Sequence, residues 1–145
     1  MEIIIRKFNE LTIDQLYKLL QVRTDIFVVE QNCPYSELDY KDQKSIHVWL
    51  EENNEILAYC RVLEKGVSFP EASIGRVLAT KRHAGYATEC LKTAIEVAKK
   101  EYNANALVIE AQVYARSLYE KLGFVQTSEE FLEDGIPHIQ MRLSL

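Results

Sequence analysis

The residues in this chain best suited to chemistry lie in a turn, Arg82-His83-Ala84-Gly85-Tyr86-Ala87-Thr88. Before it, Ile74-Gly75-Arg76-Val77-Leu78-Ala79 is short, apolar and rich in branched side chains, which reads as a strand. After it, Ala87, Leu91, Ala94, Ile95 and Ala98 fall at the spacing of one helical face. A strand, a small-residue turn and a helix in that order suit a diphosphate. The first amides of a helix have no partner inside it and carry about half a positive charge in aggregate. Gly85 lets backbone approach closely, Ala84 and Ala87 keep the rim low, and Arg82 adds a cation at the mouth. The competing reading is a surface loop running into an ordinary helix, because a lone glycine loop is weak evidence. The chain has neither a Gly-x-Gly-x-x-Gly with a following acidic residue nor a Gly-Lys-Ser/Thr for a nucleotide triphosphate.

A second stretch with chemical content is residues 32–44, irregular, polar and aromatic, with Pro34, Tyr35, Glu37, Asp39, Tyr40 and Asp42. A loop of about a dozen residues is more often functional than a mere connector. Two readings stand: a pocket lining for a positively charged substrate, or a solvated acidic surface. Just upstream, Leu16, Leu19, Leu20, Arg23 and Phe27 line one side of a helix. Arg23 is the odd member, either a stem packed along the core edge with a solvated head or a cation turned into a cleft.

The elements that must position these residues can be taken in order. Residues 2–8 alternate as a strand. Thr12 and Gln15 make a reciprocal capping arrangement at the start of the Arg23 helix. Residues 45–52 and 56–64 form a hairpin around Asn53-Asn54, with period-two patterning at Val48, Leu50, Leu57, Tyr59 and Arg61. Residues 105–110 read as a fully buried strand. In the next segment Ala115, Leu118, Tyr119 and Leu122 share a helical face that Gly123 stops. Residues 125–132 and 136–143 are a final strand pair joined by Glu133-Asp134-Gly135, whose Asp-Gly is a hairpin signal.

With 145 residues and 48% hydrophobic content, the chain has the size of a single domain, 1–145, with a real core. The net charge of −5, from 22 acidic against 17 basic residues without a basic cluster, argues against nucleic acid and anionic membrane as partners. No signal peptide is evident, and no apolar run approaches the roughly 18 residues of a spanning helix. Cys33, Cys60 and Cys90 are widely spaced, which suits neither zinc nor a disulfide framework. Small buried thiols in a reduced cytoplasm, with no metal, are the expectation.

Arg82-x-x-Gly85-x-Ala87 before a helix, with Ala115-x-x-Leu118-Tyr119-Glu120-Lys121-Leu122-Gly123-Phe124 downstream, resembles the GNAT superfamily of acyl-CoA-dependent N-acyltransferases over almost the whole chain. Phe27-Val28-Val29-Glu30-Gln31-x-Cys33-x-Tyr35-x-Glu37-x-Asp39, Ile74-Gly75-Arg76-Val77 and Glu133-Asp134-Gly135-Ile136-Pro137-His138 resemble its ElaA-like branch. The resemblance implies an α/β (α+β) fold, a mixed and largely antiparallel sheet of about seven strands with helices on both faces. It implies a sheet splayed open where the strand at 74–79 meets the one at 106–110, with a pantetheine arm in the opening against backbone at Val77, Leu78 and Ala79. The pyrophosphate would rest on the amides of His83, Ala84, Gly85, Tyr86, Ala87 and Thr88. Gln112, where many relatives have asparagine, would bond pantetheine or fix the helix. The passage from Ala79 to Arg82 is shorter than is usual in the family, and Ala87 stands where glycine is frequent.

By the same resemblance, acetyl-CoA is the acyl donor, attacked directly by a neutral primary amine, while strand amides stabilise the oxyanion and Tyr119 protonates the departing thiolate. A phenol's pKa near ~10 is close enough to a thiol's near ~8.5 for that transfer. Tyr119 also lies on the apolar helix face, where a core tyrosine belongs. An amine must first lose a proton, and His47, His138, Glu37 and Glu110 are the candidate bases, with Arg23 a further acceptor-side residue. His138 is preferred because Gly135-Ile136-Pro137 sets it beside a tight turn bordering the acceptor side; a structural, hydrogen-bonded histidine is the competing reading. The acceptor is an amine of a small molecule or of a protein, and oligomeric state is open, a homodimer included. The alternative to an N-acetyltransferase is a non-catalytic acyl-CoA-binding or regulatory module with the same fold.

Overall fold

The computed structural model describes residues 1–82 and 84–145. The chain begins with β1 (Glu2–Lys7) and reaches α1 (Ile13–Thr24) through the expected cap. The Gln15 amide donates to Thr12 Oγ1 and the Thr12 amide donates to Gln15 Oε1, each at 3.0 Å. A wide π-helical turn, Asp25–Glu30, prolongs α1. Phe27 joins Leu16, Leu19 and Leu20 in one apolar cluster with Ile4, Trp49, Ile56, Tyr59 and Leu78.

β2 (Ser45–Glu52) and β3 (Glu55–Leu63) form the hairpin at the centre of the molecule. Asn53 and Asn54 take φ of +51° and +64°, the paired left-handed residues of a tight turn. Both strands are buried on both faces. Ile46, Val48, Leu50, Cys60 and Val62 pack toward α2 (Tyr86–Tyr102), which presents Cys90, Leu91, Ala94, Ile95, Val97 and Ala98. His47, Trp49, Tyr59 and Arg61 occupy the opposite, α1 side, as the register pairs His47 with Arg61 and Trp49 with Tyr59. Leu57 departs from the simple alternation. The register jumps from Leu50 opposite Ala58 to Glu51 opposite Ile56, a bulge that turns Leu57 to the α2 side.

β4 (Ser73–Ala79) closes the first sheet, in the order β1-β2-β3-β4, all antiparallel. The second sheet contains β5 (Ala106–Gln112), β6 (Val125–Gln126), β7 (Phe131–Glu133) and β8 (Ile136–Ser144). β8 pairs with each of the other three. The sheets meet at a parallel bridge, where the Val108 amide donates to the Ala72 carbonyl at 3.0 Å beside the pair Ala72 and Leu107. With β5 running on from that bridge toward Gln112 and β4 toward Ala79, the sheet is mixed and splayed, with helices on both faces.

The described residues contain eight strands, close to the expected seven, the extra one arising because residues 125–132 do not run as one strand. The Gln140 amide donates to Ser128 Oγ at 2.9 Å in place of a strand carbonyl, so pairing lapses between β6 and β7. Asp134 and Gly135, at φ of +51° and +77°, make the turn into β8 as their types require.

Candidate functional site

β4 carries the irregularity that shapes the site. Tyr59 pairs with Leu78 and Arg61 with Gly75, so Arg76 and Val77 together oppose Cys60. This is a β-bulge, and Arg76 is held at φ +53°, a region non-glycine residues seldom adopt. The bulge interrupts the ladder with β3, and Val77 lines two cavities on the side of β4 away from that ladder's regular pairing.

On one side of the gap lies a cavity of about 510 Å³, lined by Val77, Leu78, Ala79, Arg82, Gly85, Tyr86, Ala87, Thr88 and Tyr119, with Ile26, Phe27 and Leu118 among its apolar walls. Gly85 sits at the N-terminus of α2 with φ +79°, and a Cβ built there would meet nothing within 4 Å. Its hydrogen-bearing face is therefore open to a ligand. The residues present fit a phosphate-bearing one: free amides at the start of α2, a bare Gly85, and Arg82 at the rim. Arg82 pairs with Glu30 of the π-helical turn, so the cation at the mouth is partly engaged by the opposite wall. Ala84 is exposed beside the rim. His83, expected among the pyrophosphate amides, lies outside the described residues.

A second cavity, of about 310 Å³, opens on the other side and is lined by Phe27, Gln31, Cys33, Tyr35, Arg76, Val77, Glu110, Gln112, Tyr114, Tyr119, Glu133, Asp134 and His138. Phe27, Gln31, Val77, Tyr114, Ala115 and Tyr119 line both. Tyr119, on α3 (Arg116–Lys121), is 7% exposed, and its ring packs edge-on against Phe124 at 5.7 Å. Its ring belongs to the core, and the residue lines both cavities. Its hydroxyl has no hydrogen-bond partner among the described residues, yet it is not among the sealed, unsatisfied atoms. Burial, helped by Cys60 and Tyr114, pushes the phenol up from its ordinary value, so it is held protonated. Gln112 exchanges side-chain hydrogen bonds with Gln31 at 3.3 Å, which ties β5 to the turn after α1 across the floor.

Cys33 and Tyr35 of the acidic loop line the second cavity, but its carboxylates Glu37, Asp39 and Asp42 line neither cavity and are matched by arginines instead. Glu37 Oε2 accepts from Arg23 Nε at 2.8 Å and from Arg76 Nε at 2.7 Å, while Glu37 Oε1 accepts from the Tyr35 hydroxyl at 2.5 Å. Asp42 accepts from Arg23 at 2.6 Å and from Arg61 at 2.9 Å, and Asp39 accepts from Arg61 at 2.5 Å. Burial works against the charges on Arg23 and Asp42, but the guanidinium groups and carboxylates outweigh it and hold both ionised. Arg23, Glu37 and His47, expected on the acceptor side, line neither cavity. His47 Nε2 donates to the Asp42 carbonyl at 3.0 Å, and Nδ1 accepts from the Tyr59 hydroxyl at 2.7 Å. Burial lowers its pKa, and it is a neutral, structural histidine. The Arg23 helix was legible in the sequence, but the identity of the acids folding over its guanidinium was not.

Glu110 and His138 do line the second cavity. His138 is 7% exposed; its Nδ1 donates to the Ile136 carbonyl at 2.7 Å, and its Nε2 lies 3.4 Å from Glu133 Oε2. Burial, a hydrogen bond with Glu133 and the charge of Glu133 push the Glu110 carboxyl up to about 7. Glu133 was legible only as a turn residue; the β7-β8 register, which no local pattern encodes, brings it to His138. Gln31 and Phe27 owe their positions to the π-helical turn, which likewise leaves no mark in helical periodicity. Among the described residues no cluster of His, Cys, Asp or Glu is grouped to hold a metal ion.

Comparison with known proteins agrees with this geometry. Residues 15–145 match the family model described as an acetyltransferase (GNAT) domain. A UPF0039 protein of Schizosaccharomyces pombe is 38% identical, over 100% of this chain and 98% of its own. The crystal structure of an acyl-CoA N-acyltransferase from Pseudomonas aeruginosa superposes with a TM-score of 0.91 at 34% identity, over 98% of this chain and 99% of that one. The crystal structure of Escherichia coli ElaA superposes with a TM-score of 0.90 at 32% identity, over 97% of each chain. With its bulged β4, its open helix N-terminus and its splayed strands, the chain belongs to the GNAT acetyltransferase family, in the ElaA-like branch.

Proposed function

We propose that the protein is an N-acetyltransferase that moves an acetyl group from acetyl-CoA to a primary amine of a small molecule or protein by direct attack. The observation that carries this reading is the meeting of two cavities at one phenol: the larger backed by the start of α2, the smaller by Glu110 and His138, with Tyr119 lining both. When bound, acetyl-CoA supplies an activated thioester. On this side of the reaction the Gly85, Tyr86, Ala87 and Thr88 backbone and Arg82 hold the diphosphate, and Val77, Leu78 and Ala79 pair with the pantetheine arm. Gln112, already committed to Gln31, fixes the floor. Tyr119 is buried and protonated, and donates its proton to the sulfur as negative charge gathers there. Bulge amides of β4 face the thioester oxygen, where preorganised donors do most for rate. Glu110 and His138 stand on the acceptor side as proton acceptors. No enzyme-bound acyl group and no metal is required. Three buried free thiols support a reduced, cytoplasmic setting, and the overall negative charge disfavours nucleic acid and anionic membrane as acceptors.

The test is thiol release from acetyl-CoA in the presence of a panel of primary amines, with product mass detection, for the wild type and Tyr119→Phe. The variant keeps the ring packed on Phe124 and should retain acetyl-CoA affinity while turnover falls about 10²- to 10⁴-fold, the usual worth of a positioned proton donor. Tight acetyl-CoA binding with no turnover on any amine would identify a binding module instead.

A further inference from the structure

One residue of β4 has a backbone that its side-chain type does not favour. Among the described residues, seven non-glycine residues take positive φ. Five of them, Asn32, Asn53, Asn54, Asn103 and Asp134, are types that visit this region readily, and Tyr40 is an exposed residue outside the strands and helices. Of the seven, only Arg76 lies within a strand, at φ +53°. Gly75 precedes it directly and lies outside the left-handed region, so the kink falls on the arginine rather than on the residue that would adopt it freely.

The side chain is what holds it there. Arg76 Nε donates to Glu37 Oε2 at 2.7 Å, and Nη2 donates to the Glu37 carbonyl at 3.1 Å and to Asp39 Oδ2 at 3.4 Å. The guanidinium lies 5.6 Å from the centre of the Tyr35 ring, whose hydroxyl donates to Glu37 Oε1 at 2.5 Å. These acceptors are themselves fixed, since Arg23 also donates to Glu37 Oε2 and Arg61 donates to both Asp39 oxygens. A residue in a disfavoured backbone region persists only where its surroundings over-determine it, and such residues gather at active sites. The kink bears on the reaction centre as well. Arg76 and Val77 together oppose Cys60, so the left-handed backbone of the arginine decides how Val77 leaves the ladder, and Val77 lines both cavities as Tyr119 does.

We propose that Arg76 is a positioning residue for acyl transfer: its guanidinium, locked onto Glu37 and Asp39, holds the left-handed kink of β4 that presents the Val77 backbone to the acyl donor. The inference rests on the acyl-transfer reading and adds to it a residue that acts through the backbone beside it. Without this side chain, residue 76 relaxes toward extended φ, the Val77 backbone turns with it, and the donor loses an amide aimed at its thioester. Arg76 itself lines the smaller cavity, so a direct contact with the acceptor is the rival role. Residue type separates the two. Asparagine accepts positive φ without any clamp, whereas alanine has neither the clamp nor the tolerance.

The experiment compares the wild type with Arg76→Ala, Arg76→Asn and Arg76→Lys by two NMR signatures. In ¹⁵N-labelled protein, an intense intraresidue HN–Hα NOE at residue 76 reports positive φ. The carbonyl resonance of bound acetyl-CoA, ¹³C-labelled at the thioester, reports hydrogen bonding to the thioester oxygen. The wild type should show the intense NOE and a downfield carbonyl shift on binding. Arg76→Ala should lose both, with acetyl-CoA affinity down about two- to tenfold, the worth of one hydrogen bond. Arg76→Asn should keep both, and Arg76→Lys, which keeps the charge without the fork, should fall between. Should Arg76→Ala not fold, the contrast of Arg76→Lys with Arg76→Asn makes the same test. An intense NOE persisting without the arginine in Arg76→Ala would overturn the clamp, and a carbonyl shift lost equally in Arg76→Asn and Arg76→Ala would overturn action through the backbone. A wild type that binds no acetyl-CoA would sink the transferase reading itself, whereas either of those two results leaves that reading standing.

Discussion

Replacing Arg23 by Met should be the most informative perturbation of the scaffold beside the smaller cavity. Arg23 is 0% exposed. It donates to Glu37 Oε2 at 2.8 Å, to Asp42 Oδ1 at 2.6 Å and to the Glu37 carbonyl at 3.3 Å, and it lies 5.8 Å over the Tyr59 ring. Met preserves the unbranched stem, so the change isolates the charge. Three guanidinium groups balance three carboxylates in this cluster, and losing one leaves a net buried negative charge. Removing one partner of a buried ion pair costs about 3–5 kcal/mol. Two charge-assisted hydrogen bonds at about 1.5–3 kcal/mol each give about 3–6 kcal/mol, which overlaps that range. The lower half of it is expected, near about 3 kcal/mol, because Glu37 keeps Arg76 and Tyr35 and Asp42 keeps Arg61. Urea unfolding should show that loss as a lower midpoint with an unchanged slope. The double variant Arg23→Met/Asp42→Asn, which restores neutrality, should recover part of it. A loss under about 1 kcal/mol for Arg23→Met would refute the argument, since only a solvated pair is worth so little. The same cluster anchors the loop that brings Cys33 and Tyr35 to the cavity, so the variant should also raise KM for the amine more than for acetyl-CoA.

Three further outcomes follow from the geometry. Gly85→Glu places a side chain at φ +79° and a negative charge beside the diphosphate site; acetyl-CoA affinity measured by calorimetry should fall at least about tenfold, and an unchanged affinity would remove the turn from the site. Stability should hold from neutral to mildly alkaline pH and decline as pH falls below about 6.5. In the folded protein His47 and Asp42 both bind protons more weakly than usual, His47 because of its burial and Asp42 because Arg23 and Arg61 outweigh its burial, so acid favours the unfolded chain. Glu110, raised to about 7, acts in the opposite sense, losing its contribution as pH rises, but its exposure weakens that term. Urea midpoints across pH 4–8 read the sum, and a midpoint that rises on acidification would refute the burial of His47. Leu91→Ala, at a 0% exposed position where α2 rests on β2 and β3, should cost about 2–5 kcal/mol by the same assay; a cost below about 1 kcal/mol would contradict the packing that fixes the anion site.

What the sequence determined by itself was whatever is local or periodic. Thr12 and Gln15 specify a capping box within one turn, Asp134-Gly135 and Asn53-Asn54 specify tight turns by their tolerance of positive φ, and the Leu91 to Ala98 stripe specifies a buried helix face. Gly85 at a helix start and Tyr119 on another helix were each readable as types at suitable positions. Tertiary structure alone decided which of them meet. The bulge at Arg76 and Val77 depends on how β4 pairs with β3, and the lapse at Ser128 depends on a side chain competing for a strand amide. Glu37, Asp39 and Asp42 look alike as a sequence to Glu110 and Glu133, yet three arginines from α1, β3 and β4 neutralise the first group while the second pair is left facing a cavity. Charge is a property of a residue, but its availability is set by partners far away along the chain, and only folding brings those into range.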